Sequence, residues 1–422
     1  MICHSQETRS GGTIPFHTIR CRHYHSMTPT HRNIALLSTC QALLFTNNVT
    51  LIAINGLAGL LLAPSKILAT LPVSVQIIGS ALATVPASLL MQKIGRRAGF
   101  QVGSLCGVVG AMLATLAMWL GSFSLLCVGT FVLGIYGAFG QYYRFAAADS
   151  AEPALRPKAI SLVVAGGLVG GLVGPALSTF TRGAASPEFI ASYASLIVFS
   201  LLTMLVVSHL QIPGVATDAA AAAPRPMREI AVQPLFIVAV LSSGIGYGVM
   251  NLLMTATPLA MSFCGHPYGA AAGVISAHVI AMFAPSFFTG ALIARWGVFT
   301  VIATGIAIMA GCVAIALSGI SVAHFWWALT LLGLGWNFMF VGGSALLTET
   351  YRPNEKAKAQ GTHDLLVFCV TAMSSFASGV LVNTAGWTTL QWAATPFLVI
   401  CAVALAVGWF KRGRAAQPGA VA

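Results

Sequence analysis

Long apolar segments separated by short polar ones make up most of the chain. A helix needs about 20 apolar residues to cross the hydrocarbon core of a bilayer. Dividing the chain at charges, prolines and polar clusters leaves twelve such segments: 34–62, 68–91, 98–121, 123–149, 158–180, 190–210, 234–261, 269–294, 298–318, 323–347, 359–383 and 389–410. The pattern predicts an all-α membrane protein with twelve transmembrane helices.

The composition supports the same conclusion. Of 422 residues, 57% are hydrophobic and 7% are charged, whereas a typical soluble domain is about 25% charged. A net charge of +12 would suggest nucleic-acid binding in a soluble protein. With so few charges it indicates basic cytoplasmic loops instead. We therefore expect the protein to lie in the lipid bilayer and not to bind nucleic acid.

The lysines and arginines fall on alternate loops. If both termini face the cytoplasm, 18 of the 21 basic residues lie on that side, Lys66 and Arg182 lie outside, and Arg144 lies within the fourth segment. Cytoplasmic loops of membrane proteins are enriched in Lys and Arg. The pattern predicts a multi-pass protein of a bacterial inner (plasma) membrane with both termini in the cytoplasm.

Two hydrophilic stretches divide the chain. Residues 1–32 contain no apolar run long enough for a signal peptide, so we expect a disordered N-terminal tail, with Met27 as an alternative start of translation. Residues 211–233 contain an alanine run and prolines, which is typical of a flexible linker. The linker separates two six-helix bundles, 33–210 and 234–411, and a short cytoplasmic tail follows at 412–422.

Two motifs occur in both halves at nearly the same offset. Residues 88–95 are similar to 290–297, 202 positions later, and 149–159 are similar to 349–359, 200 positions later. In the second pair both copies have an acid, a proline four residues on, a basic residue three further on, and then Lys-Ala two residues later. Two independent matches predict that the two bundles are related by an internal repeat.

At these motifs the chain resembles the major facilitator superfamily of secondary transporters, over about residues 33 to 411. The loop at 88–97 is similar to the family's G-x-L-x-D-R-x-G-R-K signature, with Gly95, Arg96 and Arg97 in place. Ser88 replaces a Gly and Gln92 replaces the Asp, which removes an acid on which a gating ion pair of that family would depend. The resemblance implies a two-bundle carrier that works by alternating access.

A glycine run in the fifth segment allows two interpretations. Residues 170–175 are similar to the G-x-x-x-G-P motif of many proton antiporters, and that resemblance implies proton-coupled efflux of drugs or metabolites. Small residues also let helices pack closely, and this explains the run without any transport role.

The solute site of such a carrier lies near mid-membrane between the halves. Polar groups at that depth are costly in hydrocarbon, so each one is a candidate for binding. We predict that the substrate-binding side chains are Asn47, Asn48, Tyr136, Asn251, Thr255, Trp336 and Asn337. The alternative is that they hydrogen-bond neighbouring helices.

Few ionisable residues lie within the segments. Arg144, His363 and Asp364 are the candidates for proton coupling, because an imidazole beside a carboxylate titrates near physiological pH. Alternatively, Asp364 complements the N-terminal end of its helix, and Arg144 extends its charge to the interface.

The duplicated loop charges are predicted to form ion pairs that close the cytoplasmic side in one state and separate in the other. The predicted gating residues are Lys93, Arg96, Arg97, Asp149, Arg156, Lys158, Arg295, Glu349, Lys356 and Lys358. A solvated surface that only sets the topology is the alternative.

Sequence motifs of catalysis are missing. None of the six lysines follows a glycine, so the chain has no P-loop for ATP. The nine cysteines form no C-x-x-C pair. We therefore expect neither an enzyme nor a bound metal or cofactor. A non-transporting receptor or scaffold with a carrier fold stays open as an alternative.

Aromatic residues cluster at 142–143, 325–327 and 336–340. If they face the cavity, they favour a small, flat heteroaromatic solute, since aromatic rings stack on flat ligands. The runs at 253–258, 281–290 and 333–343 resemble a bacterial branch of the superfamily that we associate with vitamin uptake, riboflavin included. We expect a carrier that functions as a monomer and moves a small organic solute, with a proton as the coupling ion.

Overall fold

The computed structural model describes residues 29–65, 68–212 and 223–415; Met27 and most of the predicted N-terminal tail lie outside this part. The described residues are almost entirely helical and contain no strand. The N-terminal half contains α1 (Pro29–Leu62), α2 (Leu71–Ile94), α3 (Arg96–Leu120), α4 (Phe123–Gly140), α5 (Tyr143–Asp149), α6 (Arg156–Ala165), α7 (Gly167–Thr181) and α8 (Ile190–Ser208). The C-terminal half contains α9 (Met227–Ala231), α10 (Pro234–Phe263), α11 (Tyr268–Phe283), α12 (Ser286–Trp296), α13 (Val298–Ser318), α14 (Val322–Leu347), α15 (Lys356–Thr384) and α16 (Gly386–Ala415).

The helices confirm the predicted all-α membrane fold. Within the described ranges, eleven helical stretches are long and apolar enough to cross a membrane. The pair α11 and α12, bent by 42° at a short break, makes a twelfth if it counts as one span. Pro285 lies in that break, where its missing N–H and fixed φ interrupt the helix.

The two sequence motifs have the same backbone structure in both halves. Gly95 and Gly297 each separate two successive helices at positive φ, 85° and 84°. Only glycine adopts that conformation without strain, and it allows a sharp turn from one helix into the next. Pro153 and Pro353 each begin a short 3-10 turn that leads into the next helix. The repeat in the sequence is therefore a repeat of helix–turn geometry.

The halves meet on one side of the bundle. We call this side the termini face, because α1 begins and α16 ends there; it also carries the loops at 149–156 and 349–356. Here α2 packs against α15 and α6 packs against α12. The structure is therefore in a state in which the termini face is closed.

Candidate solute site and gate

Five aromatic side chains from both halves are in contact near the middle of the bundle. The rings of Trp336 and Phe340 are stacked, with centroids 4.9 Å apart and planes 11° apart. Tyr247 packs edge-on against both. The ring centroid of Phe283 lies 5.7 Å from that of Trp336 and 4.9 Å from that of Phe45, which belongs to the other half. This aromatic cluster joins α1, α10, α11 and α14, and in the closed state its rings pack on one another.

A buried ion pair crosses between the halves beside this cluster. Arg144 donates to Asp364 Oδ1 at 2.5 Å, and His363 Nδ1 lies 2.7 Å from the same oxygen. The Arg144 guanidinium lies over the rings of Phe340 and Phe145, 4.8 Å and 4.4 Å from their centroids. Cation–π contact and the carboxylate together stabilise a charge that is otherwise expensive to bury. The predicted proton-coupling residues are thus brought together.

Several buried polar atoms at this place make no hydrogen bond with any described residue. They are Arg144 Nε, His363 Nε2, Asp364 Oδ2 and Trp336 Nε1. Buried polar atoms in folded proteins nearly always have partners. The region therefore holds unused donor and acceptor capacity next to apolar ring faces, the combination found in small-molecule sites.

Two predicted site residues of the N-terminal half are bonded inside that half. Asn47 donates to Ser200 Oγ at 3.1 Å, and Tyr136 donates to Thr203 Oγ1 at 3.0 Å. Both are fully buried. Asn48, by contrast, is half-buried, and its side chain forms no hydrogen bond with a described residue. Of these two neighbours on α1, therefore, only Asn47 is held by a side-chain hydrogen bond to another helix of its half.

In the C-terminal half, the predicted site residues Asn251, Thr255 and Asn337 also differ from one another in exposure and in hydrogen bonding. Asn251 Nδ2 lies 2.9 to 3.2 Å from three acceptors on α15. Thr255 is exposed on α10. Asn337 donates to Met282 O at 2.6 Å and to Ser286 Oγ at 2.5 Å, and accepts from Thr289 at 2.6 Å, so its amide braces the break between α11 and α12.

Four side chains close the termini face where α15 begins. Arg96 and Lys356 donate to the same oxygen, Asp149 Oδ2, at 3.2 Å and 3.0 Å. Arg96 also donates to Gln360 Oε1 across the interface at 2.6 Å. These side chains are mostly buried, so solvent screens the ion pairs less than it screens surface pairs. The predicted gating residues Arg96, Asp149 and Lys356 thus lie in one network.

The residues that depart from the family signature also cross the interface. Gln92 donates to the carbonyl of Asn354 at 3.2 Å, and Ser88 donates to the carbonyl of Ala357 at 2.8 Å. The amide and hydroxyl therefore fasten α2 to the start of α15 through neutral hydrogen bonds. This arrangement does not need the acid that the family signature has at position 92.

The remaining predicted gating residues make other contacts. Glu349 pairs with Arg412 of the same half at 3.0 Å. Lys358 donates to the carbonyl of Arg225 in the linker, whose guanidinium binds the buried carboxylate of Glu355. The other predicted gating cations form no ion pair within the described ranges: Lys93, Arg97, Arg156, Lys158 and Arg295.

Sequence reasoning missed several of these residues. Gln360 and Phe45 bear no charge or repeat signal that marks them as interface residues, and Ser88 stands out only as a departure from the family signature. Glu355 carried a usable signal, because the first repeat has Leu155 at that position. An acid gained in one copy only suggests a partner outside the repeat, and that partner is the linker residue Arg225.

Comparison with known proteins places the chain in a family. The family model of the Major Facilitator Superfamily matches residues 35–361 and 266–421. The chain therefore belongs to the Major Facilitator Superfamily, and it is a membrane transporter. The glycine run at 170–175 contacts α1, where Cβ atoms added to Gly170 and Gly174 would lie 2.4 Å from Phe45 and 2.7 Å from Val49; these approaches are those expected of close helix packing.

Curated relatives cover most of the chain. It is 40% identical over 393 residues to the riboflavin transporter RfnT of Brucella anthropi, covering 92% of this chain and 99% of the relative. It is also 30% identical to the uncharacterized MFS-type transporter YddS of Bacillus subtilis, covering 82% and 84%.

Solved structures share the fold at low identity. The MFS transporter FucP in the outward conformation has a TM-score of 0.76 at 16% identity, covering 90% of this chain and 99% of FucP. A bacterial homologue of the iron transporter ferroportin in an outward-facing state has a TM-score of 0.71 at 12% identity, covering 89% and 99%.

Proposed function

We propose that this transporter takes up riboflavin or a closely similar flat heteroaromatic vitamin. The observation that carries the proposal is the 40% identity to a riboflavin transporter over 92% of this chain. The aromatic cluster supports it, because a tricyclic ring can stack on Trp336 or Phe340 while unpaired polar atoms nearby bond its edge.

We assign solute contact to Trp336, Asn48 and Thr255. Trp336 has an unpaired N–H and belongs to the stacked aromatic pair, and the other two have no competing side-chain bond within the described ranges. Asn47, Tyr136 and Asn337 instead brace the helices around the site, since their side chains are bonded inside their own half. Asn251 serves both roles, because it is only half-buried.

We assign the termini face to the cytoplasm, because the basic residues concentrate there. The closed gate then seals the cytoplasmic side, so the structure corresponds to the state that receives solute from outside. A carrier of this kind works as a single chain in the plasma membrane, with 33–210 and 234–411 as its two moving bundles.

We assign proton coupling to the Arg144–Asp364–His363 group. Protonation of Asp364 would neutralise the carboxylate that holds Arg144 and so weaken one link between the halves. Three further charged or titratable groups lie close to this group: Tyr142 is within electrostatic range of Asp364, Tyr247 is within electrostatic range of Arg144, and the Arg96 guanidinium lies over the Tyr142 ring. The proton would therefore act on the contact between the halves at one carboxylate oxygen, Asp364 Oδ1, which binds Arg144.

Uptake of labelled riboflavin into cells that cannot synthesise it tests the proposal. The expected result is uptake only in cells that produce the protein, with a lower rate when the proton gradient is collapsed. No uptake by cells whose membranes contain the folded protein would contradict it.

A further inference from the structure

Ser161 connects the halves at the termini face, through a second pair of helices, α6 and α12, apart from the Asp149 network. Its hydroxyl donates to the carbonyl of Ser286 and accepts the N–H of Gly290, with an N–O distance of 3.0 Å. Ser161 lies on α6 and is fully buried, whereas both partners lie on α12 in the other half.

The two partners form a single rung of a helix. In an α-helix the N–H of one residue bonds the carbonyl four residues earlier, and Gly290 and Ser286 have that spacing. The Ser161 hydroxyl therefore bridges a backbone rung of α12. Because α12 begins at Ser286, this rung closes the first turn of the helix, and the hydroxyl adds a second bond to each of its two backbone groups.

A close backbone approach makes the bridge possible. A Cβ atom at Gly290 would lie 2.5 Å from Lys158 Cα and 2.7 Å from the carbonyl oxygen of Pro157. Any side chain here would separate α6 from α12. By contrast, a Cβ atom at Gly273 on α11 would meet nothing within 4 Å.

The bridged rung lies in the first turn after the bend, and the bend places an aromatic residue of the solute site. Phe283 is the last residue of α11, directly before the break. Its ring contacts Trp336 and Phe45, and a Cβ atom at Gly167 of α7 would lie 2.5 Å from it. The gate and the aromatic cluster are therefore attached to the two sides of one bend.

We propose that Ser161 is a positioning residue that couples the closed gate to the solute site. While the termini face is closed, its hydroxyl holds the start of α12 against α6 and so fixes where the Pro285 bend, and Phe283 next to it, lies. When the halves separate, the hydroxyl leaves its two partners, and α12 moves away from α6 together with the adjoining Pro285 break and Phe283. The proposal depends on the chain being a transporter and not on the identity of the solute.

Alkylation of a buried cysteine measures the opening of this face. Ala357 is 3% exposed. It lies at the other contact between the halves, that of α15 with α2, where Ser88 donates to its backbone carbonyl. A cysteine in the variant Ala357→Cys reacts with a small maleimide only when the termini face opens. Peptide mass spectrometry of the membrane-embedded full chain follows this cysteine separately from the native ones.

Ser161→Ala is expected to raise the alkylation rate about fivefold, the effect of losing the hydroxyl bridge across the interface. Gly290→Ala is expected to raise it at least as much, because its methyl group forces α6 and α12 apart. Ser161→Thr keeps the hydroxyl and is expected to keep the slow rate. Ser178→Ala is the matched control, because Ser178 lies in the same span and bonds within its own helix; Gly273→Ala is the control for Gly290→Ala.

Two results would overturn the proposal. One is an unchanged alkylation rate in Ser161→Ala, whatever the rate in Gly290→Ala. The other is an equal rise in the two controls, which would show general loosening instead of a specific bridge. If Ser161→Ala fails to reach the membrane, Ser161→Val takes its place: its rate is compared with that of the isosteric Ser161→Thr, and equal rates in these two variants would also overturn the proposal.

Discussion

Trp336 combines a stacked ring face with a buried, unpaired indole N–H at the contact between the halves. Interhelical packing needs the ring but not the unpaired donor. This difference favours solute recognition over packing alone, and it makes Trp336 the residue on which the site assignment depends most.

Trp336→Ala is expected to raise the KM for riboflavin about tenfold, because stacking of a heteroaromatic base on an aromatic side chain contributes about 1–3 kcal/mol. Initial uptake rates over a range of riboflavin concentrations measure it. Trp327→Ala is the control, since Trp327 is 55% exposed at the helix surface. Equal KM values in the two variants would remove Trp336 from the site.

Asn48→Ala is expected to raise KM several-fold without changing the amount of protein in the membrane, because its free amide is lost without breaking a bond in the fold. Asn47→Ala should instead lower the amount of folded protein, since it removes the bond to Ser200 and leaves a buried hydroxyl unpaired, at about 1–3 kcal/mol. Uptake kinetics and membrane quantification together separate the two effects. Wild-type KM in Asn48→Ala would refute its assignment.

Asp364→Asn is expected to abolish the dependence of uptake on the proton gradient. The amide cannot take up the proton, yet it can still accept a hydrogen bond from Arg144. Exchange of labelled for unlabelled solute, which needs no net proton movement, should persist. A gradient dependence equal to that of the original protein would exclude Asp364 from coupling.

The start of α15 is the element on which the closed state depends. Lys356, Ala357 and Gln360 contact the other half within a little more than one helical turn. On its outer side this segment is held by the linker through Glu355 and Arg225. Movement of α15 would therefore break several contacts of the gate together.

Lys356→Ala is expected to increase the fraction of molecules open at the termini face by several-fold, because the semi-buried Asp149 then loses one of its two cations. The alkylation rate of the cysteine reporter Ala357→Cys measures this opening. Lys93→Ala is the control, since Lys93 is an exposed cation on the same face. Similar rates in both variants would show that Lys356 has no gating role.

How much of this could be predicted from the sequence depended on the kind of signal. The repeat identified Gly95 and Gly297, because a backbone requirement leaves a fixed residue type at a fixed offset. Charges identified Asp149 and Lys356 as gating candidates. Ser161 and Gln360 gave no such signal, because a polar residue on an apolar helix does not reveal which neighbour it faces; only the packing of two helices decides that.

In the whole molecule, two contacts between the halves, which we call seams, close the termini face. A central group of aromatic and ionisable residues lies next to them. One seam consists of the ion pairs and hydrogen bonds around α15, and the other is the Ser161 bridge to α12. Both seams connect to the central group, the first through α15, which carries Asp364, and the second through Phe283. A solute bound at the aromatic cluster and a proton bound at Asp364 would, on the proposed assignments, each act on the gate through one of these contacts.

Uptake of radiolabelled riboflavin by purified protein in proteoliposomes tests the central claim most directly. The predicted result is saturable uptake that excess unlabelled riboflavin suppresses and that an imposed gradient, acidic outside, accelerates. Uptake no faster than in protein-free vesicles, with protein shown to be folded and inserted, would contradict the account.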